Sequence, residues 1–225
     1  MADLSPAAGE TPAHRGAGSP ERLVFFSDAV VAIAMTLLVL PLMEGVSEAR
    51  HEHLSAAAYL SDRGDQLFSF VLSFALIAGA WVTHHRTFDQ VGRLDGRLVL
   101  LNLAWLLTIV WLPVITAMSG SLHTDRGLLA IYIGGMLANQ LVMLVIAARL
   151  WHHPELLAPG RQPTARGVGA LTGVVVLMTV ALAIAVAVPA VGYYALFVLF
   201  ASGLVGRPIA RRLQQRSHRQ GGAAA

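Results

Sequence analysis

Residues 22–44, RLVFFSDAVVAIAMTLLVLPLME, set Arg22 and Asp28 at the head of a stretch that then runs apolar for most of a membrane's thickness, with Thr36 in its middle and Glu44 at its far end. Further on, GAWVTHHRTF brings Trp81, His84 and His85 together, and LVLLNLAW adds Asn102. Groups of these types bind cations, handle protons or bolt helices together. Metal binding is poorly served: His84 and His85 diverge by about 100° on a helix, and no carboxylate or third histidine stands beside them at a ligand spacing. A hydrolytic triad from Ser27, Asp28 and a histidine fails too, because adjacent residues on one helix point in different directions and no nucleophile elbow surrounds the serine. Neither an enzyme nor a cofactor is expected. An ionised carboxylate at membrane depth costs several kcal/mol unless it is paired or hydrated. Asp28 therefore needs either the helix dipole that favours an acid at an N-terminus or a polar cluster, and His84, His85 and Asn102 reach its level.

The elements that position these groups follow from composition. The chain is 56% hydrophobic and 13% charged, with a mean hydropathy of +0.63 over 225 residues, too apolar for an ordinary soluble domain. Besides the opening stretch, residues 66–83, 98–118, 128–148, 168–188 and 190–206 each approach the ~20 residues that cross a hydrocarbon core of ~30 Å. The fold class is an all-α membrane protein with six spanning helices in residues 21–207. A disordered cytoplasmic tail is expected over 1–20 and a basic cytoplasmic tail over 208–225. No cysteine is present, so thiolate sites and disulfides are out of reach. His152 and His153, like His51, His53 and His123, fall in loops and are expected to be solvated.

Arginine supplies every basic residue, and thirteen of the sixteen flank the spans on one side, leaving only Arg50, Arg63 and Arg126 on the other. The positive-inside rule places both termini in the cytoplasm of a multi-pass protein of the cell membrane. The pI near 9.9 thus reflects basic edges facing anionic lipid and calls for no nucleic acid.

At 100° per residue, Ala29, Ile33, Thr36, Leu37, Leu40 and Glu44 share a stripe roughly 100° wide, and Asp28 lies about 140° from Ile33. The aspartate thus points away from the stripe, toward neighbouring helices. Taken alone, such a stripe is ordinary helix packing, and Thr36 on it has a back-bond to the carbonyl of residue 32 open to it. Pro41 is placed to kink the helix and to disturb the projection of Glu44.

Arg22, Phe26, Ser27 and Asp28 spell R-x-x-x-F-S-D, and DAVVAIAMTLLVL, WVTHHRTF, LLNLAWLL and LPVITAMSG follow it. Together they resemble the bacterial transmembrane protein 175 family of potassium channels, most closely over residues 22–120. The resemblance implies a potassium-permeable channel in which the first helix of each subunit lines a central pore without the usual filter loop. One signature per chain implies a homotetramer. On that reading Ile33, Thr36, Leu37 and Leu40 line the pore and Ile33 forms a hydrophobic constriction. Thr36 offers hydroxyls to an ion, Glu44 rings the outer mouth, and Trp81, His84, His85 and Asn102 form a supporting polar cluster. The partners implied are further copies of the chain, membrane lipid and potassium ions. AVGYYALF at 190–197 shares Val-Gly-Tyr with ordinary potassium filters, but it lacks the flanking residues and a pore helix, and reads as a turn after Pro189. A secondary transporter, a proton-permeable channel and a non-conducting scaffold stay open as alternatives. A transporter's paired broken helices are not matched by Pro113 and the IYIGG of 131–135.

Overall fold

A computed structural model of the chain describes residues 19–51, 53–122, 125–162, 165–188, 190–192 and 195. Its helices are α1 (Pro20–Leu37), α2 (Leu40–His51), α3 (Ala56–Asp62), α4 (Gly64–Phe88), α5 (Gly96–Ser121), α6 (Arg126–His152) and α7 (Ala165–Ala187), with a 3-10 turn at Pro154–Leu156. Among the described residues five helical stretches are long and apolar enough to cross a membrane, the first being α1 and α2 taken together. This is a helical membrane protein. Nearly all of the expected sixth span, and both expected tails apart from Ser19 and Pro20, lie outside the described residues. Those two residues correct the expected tail boundary: Pro20 already opens α1, its fixed φ suiting the first helical position, and Ser19 is the extended residue before it.

Helices α4, α5 and α6 run a few residues past both expected ends, and at the starts of α5 and α6 a polar cap extends the helix beyond its apolar run. Asp95 and Asp125 accept the backbone N–H of Leu98 and Leu128, each at 2.8 Å, and so start α5 and α6. Ser55 starts α3 in the same way through the N–H of Ala58. The break between α1 and α2 has a different cause. Pro41 has no N–H to give the Leu37 carbonyl, and its ring crowds that oxygen. The chain tightens into a turn at Leu38 and Val39, with the Val39 N–H on the Thr36 carbonyl at 3.3 Å, and resumes as α2. Tyr59 Oη then donates to the Leu42 carbonyl at 2.6 Å and ties α3 to α2.

Helix α5 is the hub, packing on α1, α4 and α6, while α7 lies on the far side of α6. Its inward side chains Trp105, Ile109 and Ile115 are fully buried, together with Leu129, Ile133 and Ile146 of α6. Pro113 and Gly134–Gly135 lie within continuous helices, so neither produces a broken span. At the end of the bundle that carries most of the arginines, the α4–α5 and α6–α7 connections pair like a rung of sheet. Gly92 and Arg93 donate to the Leu156 carbonyl at 2.9 and 3.0 Å, and Ala158 donates to that of Gln90 at 2.9 Å. A Cβ on Gly92 would stand 2.7 Å from the Ala158 Cα, which is why this position carries no side chain.

The guanidinium of Arg149, near the end of α6, forks onto both oxygens of Asp95 and locks α6 to the start of α5. This bond, with the N–H of Leu98, holds the Asp95 carboxyl below its ordinary value of 3.8. A depressed pKa means that the contribution to stability is complete above the unfolded value and fades as pH falls through the lower, folded one. Asp95→Ala is therefore expected to cost about 1 kcal/mol for the lost cap alone at neutral pH. In thermal melts followed from pH 7 down to pH 3, the gap to wild type should begin to close only once the pH has dropped below about 3.8.

Candidate functional site

Helix α1 has two faces. Ser27, Val31, Ala34 and Leu38 are buried against α4 and α5. Their spacing of four, three and four residues is that of a helix seam. The opposite face is open: Ile33 is 60% exposed whereas Leu38 is 2% exposed, and Ala29, Thr36, Leu37 and Leu40 are exposed with Ile33. The inward series continues past the Pro41 break through Gly45 and Ala49, seven residues on from Leu38 and Leu42, and Glu44 is exposed. Exposure in α2 is broad, since Met43, Val46 and Ser47 are exposed with Glu44, and Gly45 is covered by Tyr59 of α3.

Thr36 donates its hydroxyl proton to the Ile33 carbonyl at 2.7 Å, one residue nearer than the carbonyl of residue 32 expected from the sequence. The turn at Leu38 and Val39 tightens this end of the helix, and the shorter reach suits it. With the proton committed inward, the oxygen's lone pairs are left for whatever lies on the open face.

Behind that face, the single polar cluster expected around Asp28 divides in two. The first group is fully buried. His84 Nε2 lies 2.7 Å from Asn102 Oδ1, Asn102 Nδ2 donates to Ser27 Oγ at 3.0 Å, and Ser27 Oγ donates to the Leu23 carbonyl at 2.8 Å. An amide oxygen only accepts, so His84 carries its proton on Nε2 and the shorter bonds run from α4 through α5 to α1, beside a longer contact of 3.4 Å from Ser27 Oγ back to Asn102 Oδ1. The His84 imidazole is sandwiched between Trp105 at 3.9 Å and Phe88 at 4.4 Å between ring centres, and its buried Nδ1 has no hydrogen-bond partner among the described residues.

The second group lies one residue further along α1 and is half exposed. Trp81 Nε1 donates to Asp28 Oδ1 at 2.7 Å, and His85 Nδ1 stands 3.7 Å from Asp28 Oδ2. Asp28 thus takes an indole and a histidine; among the described residues no arginine pairs with it, and His84 and Asn102 serve Ser27 instead. One residue of offset decides this, because Ser27 points into the bundle and Asp28 along its edge. Arg22 and Phe26 are exposed. His84 and His85 part company in the same way, one packed in the core and one at the surface. His51, His53 and His152 are exposed, while His153 is half-buried and bonded to Glu155 at 2.8 Å; His123 lies outside the described residues.

Two polar links escaped the reading of the sequence. Thr116 donates to Ser73 at 2.8 Å and Ser73 shares a hydrogen bond of 2.9 Å with Tyr132, joining α5, α4 and α6. Nearer the middle, Asn139 donates to Thr108 at 2.8 Å. The available signal was that hydroxyls and amides inside apolar spans need partners, but their pairing depends on helix order, which the sequence leaves undetermined.

The family described as endosomal/lysosomal potassium channel TMEM175 matches residues 22–113, within the 22–120 stretch where the resemblance is closest. The human endosomal/lysosomal proton channel TMEM175 is 28% identical over 164 residues, 72% of this chain and 32% of the human protein. A potassium channel of Streptomyces collinus is 34% identical over 139 residues, 58% of this chain and 63% of that one. The chain thus spans about a third of the human relative's length and less than two thirds of the bacterial one's. A crystal structure of a lysosomal potassium-selective channel TMEM175 homolog from Chamaesiphon minutus has the same fold, with a TM-score of 0.59 at 24% identity, covering 88% of this chain and 97% of that one.

The two polar groups make separable predictions. Asn102→Ala strands the His84 Nε2–H and removes the donor to Ser27, and should cost about 1–3 kcal/mol in thermal or denaturant unfolding. Asp28→Asn keeps an oxygen to accept from Trp81 and should retain most of the wild-type stability, whereas Asp28→Leu should lower the melting temperature in thermal unfolding. Equal stability of the asparagine and leucine variants would show that the indole bond contributes nothing.

Proposed function

We propose that this chain, whose residues 22–113 match the TMEM175 family, is one subunit of a potassium-permeable cation channel in the cell membrane, with both termini cytoplasmic. Four copies surround a central pore lined by the open face of α1. The observation that carries this reading is the division of α1 into a sealed seam and an open stripe whose apolar line is interrupted by Thr36.

Four Ile33 side chains meeting on an axis form a ring that repels water, and a ring of this kind gates a pore by drying it. Thr36, about one turn outward, presents an oxygen with free lone pairs, a ligand suited to an ion that has shed part of its hydration shell. Leu37 and Leu40 continue the apolar wall. Glu44 stands on the same side beyond the break, where a ring of carboxylates would raise the local concentration of cations. Asp28 contributes by holding the pore helix in place and does not touch the ion. The flux is passive, with no catalytic step. The names of the bacterial relatives support potassium as the ion, and those of the animal relatives support a second reading, that protons also pass.

Ile33→Asn keeps a similar size but holds water in the ring. Conduction is expected to rise, and potassium over sodium discrimination to fall, because sodium would no longer have to shed its more tightly held shell. Leu38→Asn, on the buried seam, should impair folding or leave permeation as it was. Reversal potentials with potassium and sodium on opposite sides of a bilayer decide the matter: loss of discrimination at position 38 with wild-type behaviour at position 33 would refute this lining face. The orientation is checked independently by a reporter after Ala225, expected inside, and one inserted near Ser55, expected outside.

A further inference from the structure

Where the start of α5 meets the end of α6, an open groove of about 440 Å³ runs down the outside of the bundle. Its two levels differ in chemistry. Arg97 and His152, both exposed, stand at the rim, at the arginine-rich end of the bundle. Leu100, Leu101, Val145 and Ala148 form a floor about one helical turn deeper, or ~5 Å further into the hydrocarbon.

The charge balance at this rim is positive. The lining holds two arginines and two histidines and no acid; Arg149 is paired with Asp95, and His153 Nδ1 stands 2.8 Å from Glu155. Asp89, the other acid on this surface, is paired with Arg161 at 3.3 Å. No acidic group among the described residues is bonded to Arg97.

We propose that this groove binds an anionic phospholipid of the inner leaflet. The phosphate lies against Arg97 and the His152 ring, and an acyl chain lies along Leu101 and Val145. A free anion would have no use for the apolar floor, and a zwitterionic lipid brings its own cation to a rim that already holds Arg97; one amphiphile with a net negative head satisfies both levels. The proposal concerns the outer surface of the bundle and does not depend on conduction.

The test uses the full-length protein purified in a non-ionic detergent, with native mass spectrometry counting retained lipid after addition of phosphatidylglycerol or phosphatidylcholine. Wild type should retain phosphatidylglycerol preferentially. Arg97→Gln should weaken that retention roughly fivefold, the loss expected for one arginine near an anionic surface. Val145→Trp, which fills the floor and leaves every charge in place, should weaken it as well, while Arg93→Gln, outside the groove, should not. Equal retention of the two lipids, or an Arg97→Gln protein that behaves as wild type, would overturn the proposal. So would full displacement of the lipid by millimolar inorganic phosphate, which would mark a plain anion site. Cross-linking of a Leu100→Cys protein to a second copy would overturn it too, by showing that another subunit covers the groove.

Discussion

A hydroxyl, an amide and an imidazole buried at one level of a membrane bundle have no water to fall back on, and the way Ser27, Asn102 and His84 satisfy one another sets the rotation of α1. Asn102 is the pivot. Its oxygen takes the His84 proton and its nitrogen gives one to Ser27, so the amide has a single orientation and α1 has to present Ser27 to it. Turning α1 by one residue, about 100°, would carry Ser27 away from the amide and bring the Asp28 carboxylate into the core in its place, at the cost of burying a charge. The stacking of His84 between Trp105 and Phe88 fixes the other end of the chain, since a ring held on both faces cannot turn away.

Everything on the open side of α1 follows from that rotation. With Ser27 inward, Val31, Ala34 and Leu38 come inward by the period of the helix, and Ile33, Thr36, Leu37 and Leu40 go outward. Pro41 could have scrambled the pattern, since the loss of one backbone hydrogen bond usually bends a helix. Here the missing bond is absorbed by a tight turn of two residues, and the buried series reaches Gly45 and Ala49 in register. Gly45 has its own reason to be small: a Cβ there would stand 3.2 Å from the Tyr59 hydroxyl, the group that fixes α2 through the Leu42 carbonyl.

Much of this was legible in the sequence, because the bilayer simplifies the problem. Five of the six expected spans stand as long helices, each found from an apolar run whose length the membrane dictates. The outward stripe was readable as well, since Asp28 marks a direction that the remaining residues share or oppose. Which polar group meets which was not. Ser27 entered as one letter of a motif and as a rejected nucleophile, yet it is the residue that reaches the buried amide, while Asp28 stops at the indole of Trp81. Neighbours in sequence differ by about 100° in direction, and whether that carries a side chain into a core or to its edge depends on where the adjacent helices stand. The Thr116–Ser73–Tyr132 chain was hidden for the same reason: three helices contribute one hydroxyl each, and nothing local to any of them announces the other two.

The distribution of these bonds along α1 is uneven, and the unevenness has a mechanical meaning. Hydrogen bonds from other helices reach it at Ser27 and Asp28, and the next such tie comes at Leu42 in α2. Between them the described contacts are apolar, made by Val31, Ala34 and Leu38, and the one polar side chain, Thr36, bonds within its own helix. Apolar contacts are not directional, so sliding or tilting this segment by a fraction of an ångström exchanges one set of methyl contacts for another, whereas the same displacement at Ser27 would stretch a buried hydrogen bond. The stretch that carries Ile33 is thus clamped at both ends and compliant in the middle. In the proposed channel, a constriction at Ile33 would change its width there without disturbing the bolts that keep the bundle folded.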